Sequence, residues 1–101
     1  MNYTEFKKSM KTYKPSYVKE QAEKNIEPFI YAKEEYESSI NNVLHILIFD
    51  NHFYMASYLY DNTIKYSLVV GNEDYYSEDL ENLTRILYNY VEEHIGFSLS
   101  K

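Results

Sequence analysis

Three β-rich runs between residues 43 and 70, each closed by a residue pair that accepts positive φ, constrain this chain more than any other feature. Val43 to Phe49 reads Val-Leu-His-Ile-Leu-Ile-Phe and ends at Asp50-Asn51. His52 to Tyr60 ends at Asp61-Asn62, and Thr63 to Val70 ends at Gly71-Asn72. β-Branched and aromatic side chains suit the pleated surface of a strand. Asn, Asp and Gly tolerate the left-handed backbone of tight hairpin turns. The pattern predicts a three-stranded antiparallel β-meander over 43–70.

The flanks carry helical spacing. Tyr3, Phe6 and Met10 fit a short helix within 1–14, a segment that reads equally as a basic N-terminal arm, and Pro15 ends it. Ser16 is placed to cap a new helix whose stripe runs Val18, Ala22, Ile26, Phe29, Ala32, Tyr36, Ile40. Pro28 must kink or break it, so 16–41 reads as a kinked helical region in two pieces, 16–26 and 28–41. After the meander, Ser77 stands as an N-cap before Glu78, Asp79 and Glu81. Leu80, Leu83, Leu87, Val91 and Ile95 then stripe a helix over 78–95, which Gly96 caps with Phe97 folding back. The expected fold class is α+β: N-terminal helices, a three-stranded antiparallel β-meander and a C-terminal helix, in a single domain spanning 1–101.

Two-residue turns at both Asp-Asn pairs would set the register. Leu59 then faces Ile64, Met55 faces Leu68, and Phe53 lies between Ile48 and Val70. Leu44, Ile46, Ser57 and Tyr66 share that face, which the C-terminal helix covers. The other face carries His45, Leu47, Phe49, Tyr54, Tyr58, Tyr60, Lys65, Ser67 and Val69. Either the N-terminal helices cover it, or it is an exposed tyrosine platform for a partner or a second copy of the chain. A one-residue slip in either turn exchanges the faces.

Composition removes several chemistries. Cysteine is absent, so no disulfide, thiolate nucleophile or zinc–thiolate site exists. Gly71 and Gly96 are the only glycines, too few for a phosphate-cradling loop. His45 and His52 fall about 13 Å apart at the strand rise, too far for one metal. His94 belongs to a last helical turn, where a cation meets the helix dipole. Adjacent acids such as Glu34-Glu35 and Glu92-Glu93 diverge on a helix and read as solvated faces. The expectation is a non-catalytic protein with no cofactor and no metal. Met1 to Lys14 is polar and lysine-rich, unlike a signal peptide, and no apolar run is long enough to span a bilayer, so a cytoplasmic location and no membrane partner are expected.

Thirteen tyrosines and no tryptophan stand out. An A+T-rich coding sequence explains such an excess as readily as an interface does. The charge is unevenly placed: residues 1–24 carry +3 and residues 25–101 carry −9, for a net −6. The acids Glu73, Asp74, Glu78, Asp79 and Glu81 gather before the last helix, and Glu27, Glu34, Glu35 and Glu37 line the second helical piece. A carboxylate-studded ridge can occupy a nucleic-acid channel, held by the Arg and Lys that the channel uses for phosphates. The plainer reading is that these acids keep a small domain in solution and suit a helix N-terminus.

The meander from Val43 to Val70, with its Asp50-Asn51 and Asp61-Asn62 turns, together with the acidic run Glu73 to Glu81, resembles in style the small acidic phage-encoded inhibitors. Anti-CRISPR proteins and uracil-DNA glycosylase inhibitors are examples. The resemblance covers about half the chain, without a diagnostic motif. It implies a non-catalytic inhibitor, a mimic of nucleic acid, whose partner is a basic nucleic-acid-binding enzyme. The expected partner-binding residues are Glu73, Asp74, Glu78, Asp79 and Glu81, with Tyr54, Tyr58 and Tyr60. The alternative is a nucleic-acid-binding regulator, in which Lys7, Lys8, Lys11, Lys14, Lys19 and Lys24 contact phosphates and Tyr3, Tyr13 and Tyr17 stack on bases. A toxin immunity or adaptor protein, including a homodimer joined through the tyrosine face, is compatible with the same residues.

Overall fold

The computed structural model describes residues 2–37 and 42–94. Its sheet has five strands: β1 (Met10–Tyr13), β2 (Val43–Phe49), β3 (Phe53–Tyr60), β4 (Thr63–Val70) and β5 (Glu73–Ser77). They lie side by side in chain order, each antiparallel to its neighbours. The expected three-stranded meander is therefore corrected by one strand at each edge, while the class stays α+β. The helices are α1 (Tyr3–Lys8), α2 (Pro15–Glu23), α3 (Phe29–Ala32), which runs into a π-helical turn at Lys33–Glu37, and α4 (Leu80–His94).

Both added strands have local causes. Gly71 takes φ +63 in the two-residue turn between paired Val70 and Glu73. That turn starts β5 immediately, although Glu73 and Asp74 give the segment the composition of a loop. Within β5 the side chains alternate, so Tyr75 packs against the core beneath α4 while Tyr76 is exposed. β1 pairs Met10 with Phe49 and Tyr13 with Ile46. It is a short edge strand with exposed Lys11 and Thr12, a composition that discourages pairing with other chains.

The first hairpin differs in register from the two-residue turn expected of it. Asp50 and Asn51 take φ 50 and 60, and the His52 N–H donates to the Phe49 carbonyl at 3.0 Å. His52 then adds a third loop residue, so Phe49 pairs with Phe53 and Ile48 with Tyr54. A one-residue shift turns the side chains from His45 to Phe49 over, while a bulge between Val43 and His45 keeps Val43 with Ile46 and Ile48. Leu47 and Phe49 join Met55 and Leu68, while Ile46 and Ile48 join Ala56 on the other face. The second hairpin does close in two residues, with Asp61 and Asn62 at φ 51 and 62. Its pairs Leu59–Ile64 and Met55–Leu68 stand as expected.

Each face carries a helical layer. Leu83, Leu87 and Val91 of α4 and Phe6 of α1 bury Leu47, Phe49, Met55 and Leu68. Val18, Phe29, Ala32 and Tyr36, from the α2–α3 layer and its π turn, bury Ile46, Ile48 and Ala56. The 1–14 segment is thus folded over residues 3–13, as α1 and β1. α2 starts at Pro15, which needs no N–H in the first turn, with Lys14 rather than Ser16 at the cap position. α4 begins two residues later than the Ser77 cap implies, because the Asp79 carboxylate accepts the Glu81 N–H at 3.0 Å. Ser77 accepts the Asp79 N–H at 3.0 Å instead. Ile40, Ile95, Gly96 and Phe97 lie outside the described residues. No helix among the described residues is long and apolar enough to cross a membrane.

Candidate functional site

The α2–α3 layer covers only part of its side of the sheet. Strand alternation places Tyr54, Tyr58, Lys65, Val69, Asp74 and Tyr76 on this side. Tyr54 and Tyr58 are partly buried, whereas Tyr60 and Tyr76 are 61% and 62% exposed. α3 contributes Tyr31, 49% exposed, whose hydroxyl donates to the Glu27 carboxylate at 3.3 Å. The π turn contributes Glu34 and Glu35. The result is a face of phenols and carboxylates set into one surface.

Titration directions show how closely these groups sit. Burial pushes the Tyr54 hydroxyl up, and the charges of Glu35, Tyr31 and Glu27 push it further. Burial, then Tyr76 and Tyr60, do the same to Tyr58. Glu35 is held above the ordinary carboxylate range by burial first and by Asp74 second. Asp74 from the edge strand and Glu35 from the helical layer therefore share one field. Asp74→Asn should bring the Glu35 titration down towards its ordinary value, as followed by carboxyl carbon NMR. An unchanged Glu35 titration would separate the two acids.

The acidic run before α4 does not act as one cluster. Asp74 joins the tyrosine face. Glu73 lies on the opposite side of the sheet and accepts the Tyr75 hydroxyl at 2.7 Å. Asp79 caps α4. Glu78 is exposed and, like Asp74, makes no hydrogen bond or ion pair among the described residues. Glu81 is committed inside the fold: it accepts the Tyr3 hydroxyl at 2.8 Å and pairs with Lys7 at 3.0 Å, with Arg85 at 3.9 Å. The Arg85 guanidinium lies 3.8 Å from the Tyr3 ring centre. Of the expected binding residues, the structure brings together Tyr54, Tyr58, Tyr60 and Asp74, and separates the others from them. Tyr31 and Tyr76 join this group without having been expected, and Glu27, named among the acids of the second helical piece, joins too. The four-residue step from Glu27 to Tyr31 was the available signal.

The Tyr3–Glu81 contact latches α1 to α4 and should respond to pH. Hydrogen bonds from Lys7 and then Tyr3 hold the Glu81 carboxyl below its ordinary value. A carboxyl lowered on folding stabilises above its unfolded pKa, and that contribution is lost as pH falls through the folded value. Burial, then Glu81, pushes Tyr3 up to about 12, so its phenol stays protonated across the neutral range. The Tyr3 ring resonances should therefore shift on acidification below the ordinary carboxylate range, and Glu81→Gln should abolish that shift. A Tyr3 signal that ignores both would remove the latch.

Other surfaces are weaker candidates for chemistry. A cleft of about 250 Å³ lies between α1, β1 and α4, lined by Met10, Phe49, Leu80 and Thr84. Its charged residues, Lys7 and Glu81, already neutralise each other. His45 and His52 are exposed, and His94 stacks near Tyr90, with ring centres 4.5 Å apart. Among the described residues no three His, Asp or Glu converge as metal ligands would. No protein-family model, no curated protein and no solved structure matches this chain.

Proposed function

We propose that this protein is a non-catalytic inhibitor that binds another protein through its tyrosine and carboxylate face, and that its target is a basic nucleic-acid-binding enzyme. The observation that carries the reading is the convergence of Tyr31, Tyr54, Tyr58 and Tyr76 with Glu27, Glu35 and Asp74 on one face. Tyrosine supplies rigid contact area with a polar tip, suited to a partially wet interface. Carboxylates among the rings select a positively charged partner and speed its approach. Residues 25–101, at −9, reinforce that selection.

The immobilised protein should retain nucleic-acid-binding proteins from a bacterial lysate at low salt. It should release them at high salt or on addition of duplex DNA. Retention unaffected by both salt and DNA would contradict a mimic of nucleic acid.

A second reading has its own observation. Tyr13 and Tyr17 stack with ring centres 5.4 Å apart beside Lys14, while Lys8, Lys11, Lys14 and Lys19 are exposed and unpaired among the described residues. Such an edge suits direct contact with single-stranded nucleic acid. A salt-sensitive shift of labelled DNA or RNA by the protein alone, lost on changing Lys11 and Lys14 to Gln, would favour this reading over the inhibitor.

A further inference from the structure

The protein contains an internal example of how it holds a guanidinium. On the α4 side, the Tyr3 hydroxyl donates to Glu81 at 2.8 Å, the Arg85 guanidinium lies 3.8 Å from the ring centre, and Lys7 pairs with Glu81 at 3.0 Å. On the opposite side the same pair of groups recurs in Tyr31 and Glu27, hydroxyl to carboxylate at 3.3 Å. Tyr60, the most exposed tyrosine of β3, already carries Lys65 at 4.9 Å from its ring centre. Among the described residues no cation stands on the Tyr31 ring. Half of that residue is open to solvent, with Tyr54 beside it.

We propose that Tyr31 and Glu27, bordered by Tyr54, form a seat for an arginine side chain of the partner protein. This deepens the inhibitor reading and rests on it. The negative face of a phenol ring attracts a cation, and a planar guanidinium can stack on the ring while its edge donates to a carboxylate. In the Tyr3 site the Lys7 ammonium takes the carboxylate at 3.0 Å but stays 5.5 Å from the ring centre, whereas the Arg85 guanidinium reaches the ring to 3.8 Å, so close approach to the phenol is what arginine adds. Donation from the Tyr31 hydroxyl to Glu27 holds the carboxylate beside the ring edge and leaves its remaining lone pairs for the incoming N–H groups. Charge complementarity fixes the occupant: the acids around this ring exclude an acidic segment, and an apolar one would strand them.

The test is an NMR titration of the protein with three blocked nonapeptides that alternate glycine with arginine, lysine or citrulline. The arginine peptide should shift the Tyr31 ring signals and bind at least severalfold more tightly than the lysine peptide. The citrulline peptide, with the same plane but no charge, should not bind. Tyr31→Leu and Glu27→Gln should each remove the response. Glu93→Gln, at an exposed acid of α4 on the other side of the sheet, should preserve it, and the Tyr3 signals should stay still throughout. Thermal melts of the variants confirm that the fold survives, since Tyr31 and Glu27 lie at the surface. Equal binding of arginine and lysine peptides, a response that persists in Tyr31→Leu, or no response at millimolar peptide would each overturn the seat. These outcomes leave open whether the face binds protein, which footprinting of the captured complex decides separately.

Discussion

Phe6→Ala is expected to destabilise the protein by about 3–5 kcal/mol, the range for truncating a buried aromatic ring. Phe6 is 1% exposed and stacks on Phe49 with ring centres 5.3 Å apart, while its edge meets Tyr88 at 5.6 Å. A domain of this size is stable by roughly 5–15 kcal/mol in total, so the variant should lose a large share of it. Urea denaturation followed by circular dichroism measures the change. If residues 3–13 were an arm without a packing role, the loss would be about 0.5 kcal/mol or less, as for ordinary surface positions. That result would undo the description of α1 as part of the core.

A second large effect is expected at Tyr36, the side chain that locks the π turn to the sheet. It is 1% exposed, and its hydroxyl donates to the Tyr54 carbonyl at 2.9 Å and accepts the Val69 N–H at 3.1 Å. Tyr54 and Val69 lie just beyond the last β3–β4 pair, Met55–Leu68, so this hydroxyl stands where a ladder bond would continue. Tyr36→Ala removes a buried ring and orphans both backbone groups, so its cost should reach or exceed about 3–5 kcal/mol. Tyr36→Phe isolates the polar part and should cost about 1–3 kcal/mol, since a buried donor or acceptor then lacks a partner. Denaturation curves for the pair give both numbers. A Phe variant as stable as the parent would show that water satisfies these groups. Burial, more than any neighbouring charge, pushes this phenol well above its ordinary value, so it stays protonated at any working pH.

The parts of the fold legible in the sequence were those set by short-range chemistry. Asp61-Asn62 fixed a two-residue turn, and with it the Leu59–Ile64 and Met55–Leu68 pairs. The leucine stripe placed α4, and its start moved because Asp79 outcompeted Ser77 for the first helical N–H groups, while its expected end at Ile95 and Gly96 lies outside the described residues. The missing strands were hidden for different reasons. β5 follows a Gly-Asn turn of the same kind as its predecessors, but two adjacent acids masked the alternation of Tyr75 and Tyr76. β1 owes its existence to pairing with a strand more than thirty residues away, which no local pattern announces. The β2 register depended on whether His52 belonged to the turn or the strand. Asp50-Asn51 gives the same left-handed backbone in either case, so the pair could not decide it.

The candidate site divides along the same line. Tyr54, Tyr58 and Tyr60 were assigned to one face because alternation along a strand is local. The acidic run looked continuous in sequence, yet a strand followed by a helix cap sent its members in different directions. Asp74 went to the tyrosine face, Glu73 to the other, Asp79 to a cap and Glu81 to the latch with Tyr3. Glu27 and Tyr31 joined the face because α3 and the turn before it bring them beside Tyr54, a tertiary placement.

Amide hydrogen exchange of the protein, free and bound to the target captured from the lysate, tests the central claim most directly. Slowed exchange should appear over residues 27–36, in β3 from Tyr54 to Tyr60, and in β5 from Asp74 to Tyr76. α1 and the outward face of α4 should exchange as in the free protein. Protection confined to residues 3–19, with the tyrosine face unchanged, would contradict the account and transfer the binding function to the basic edge.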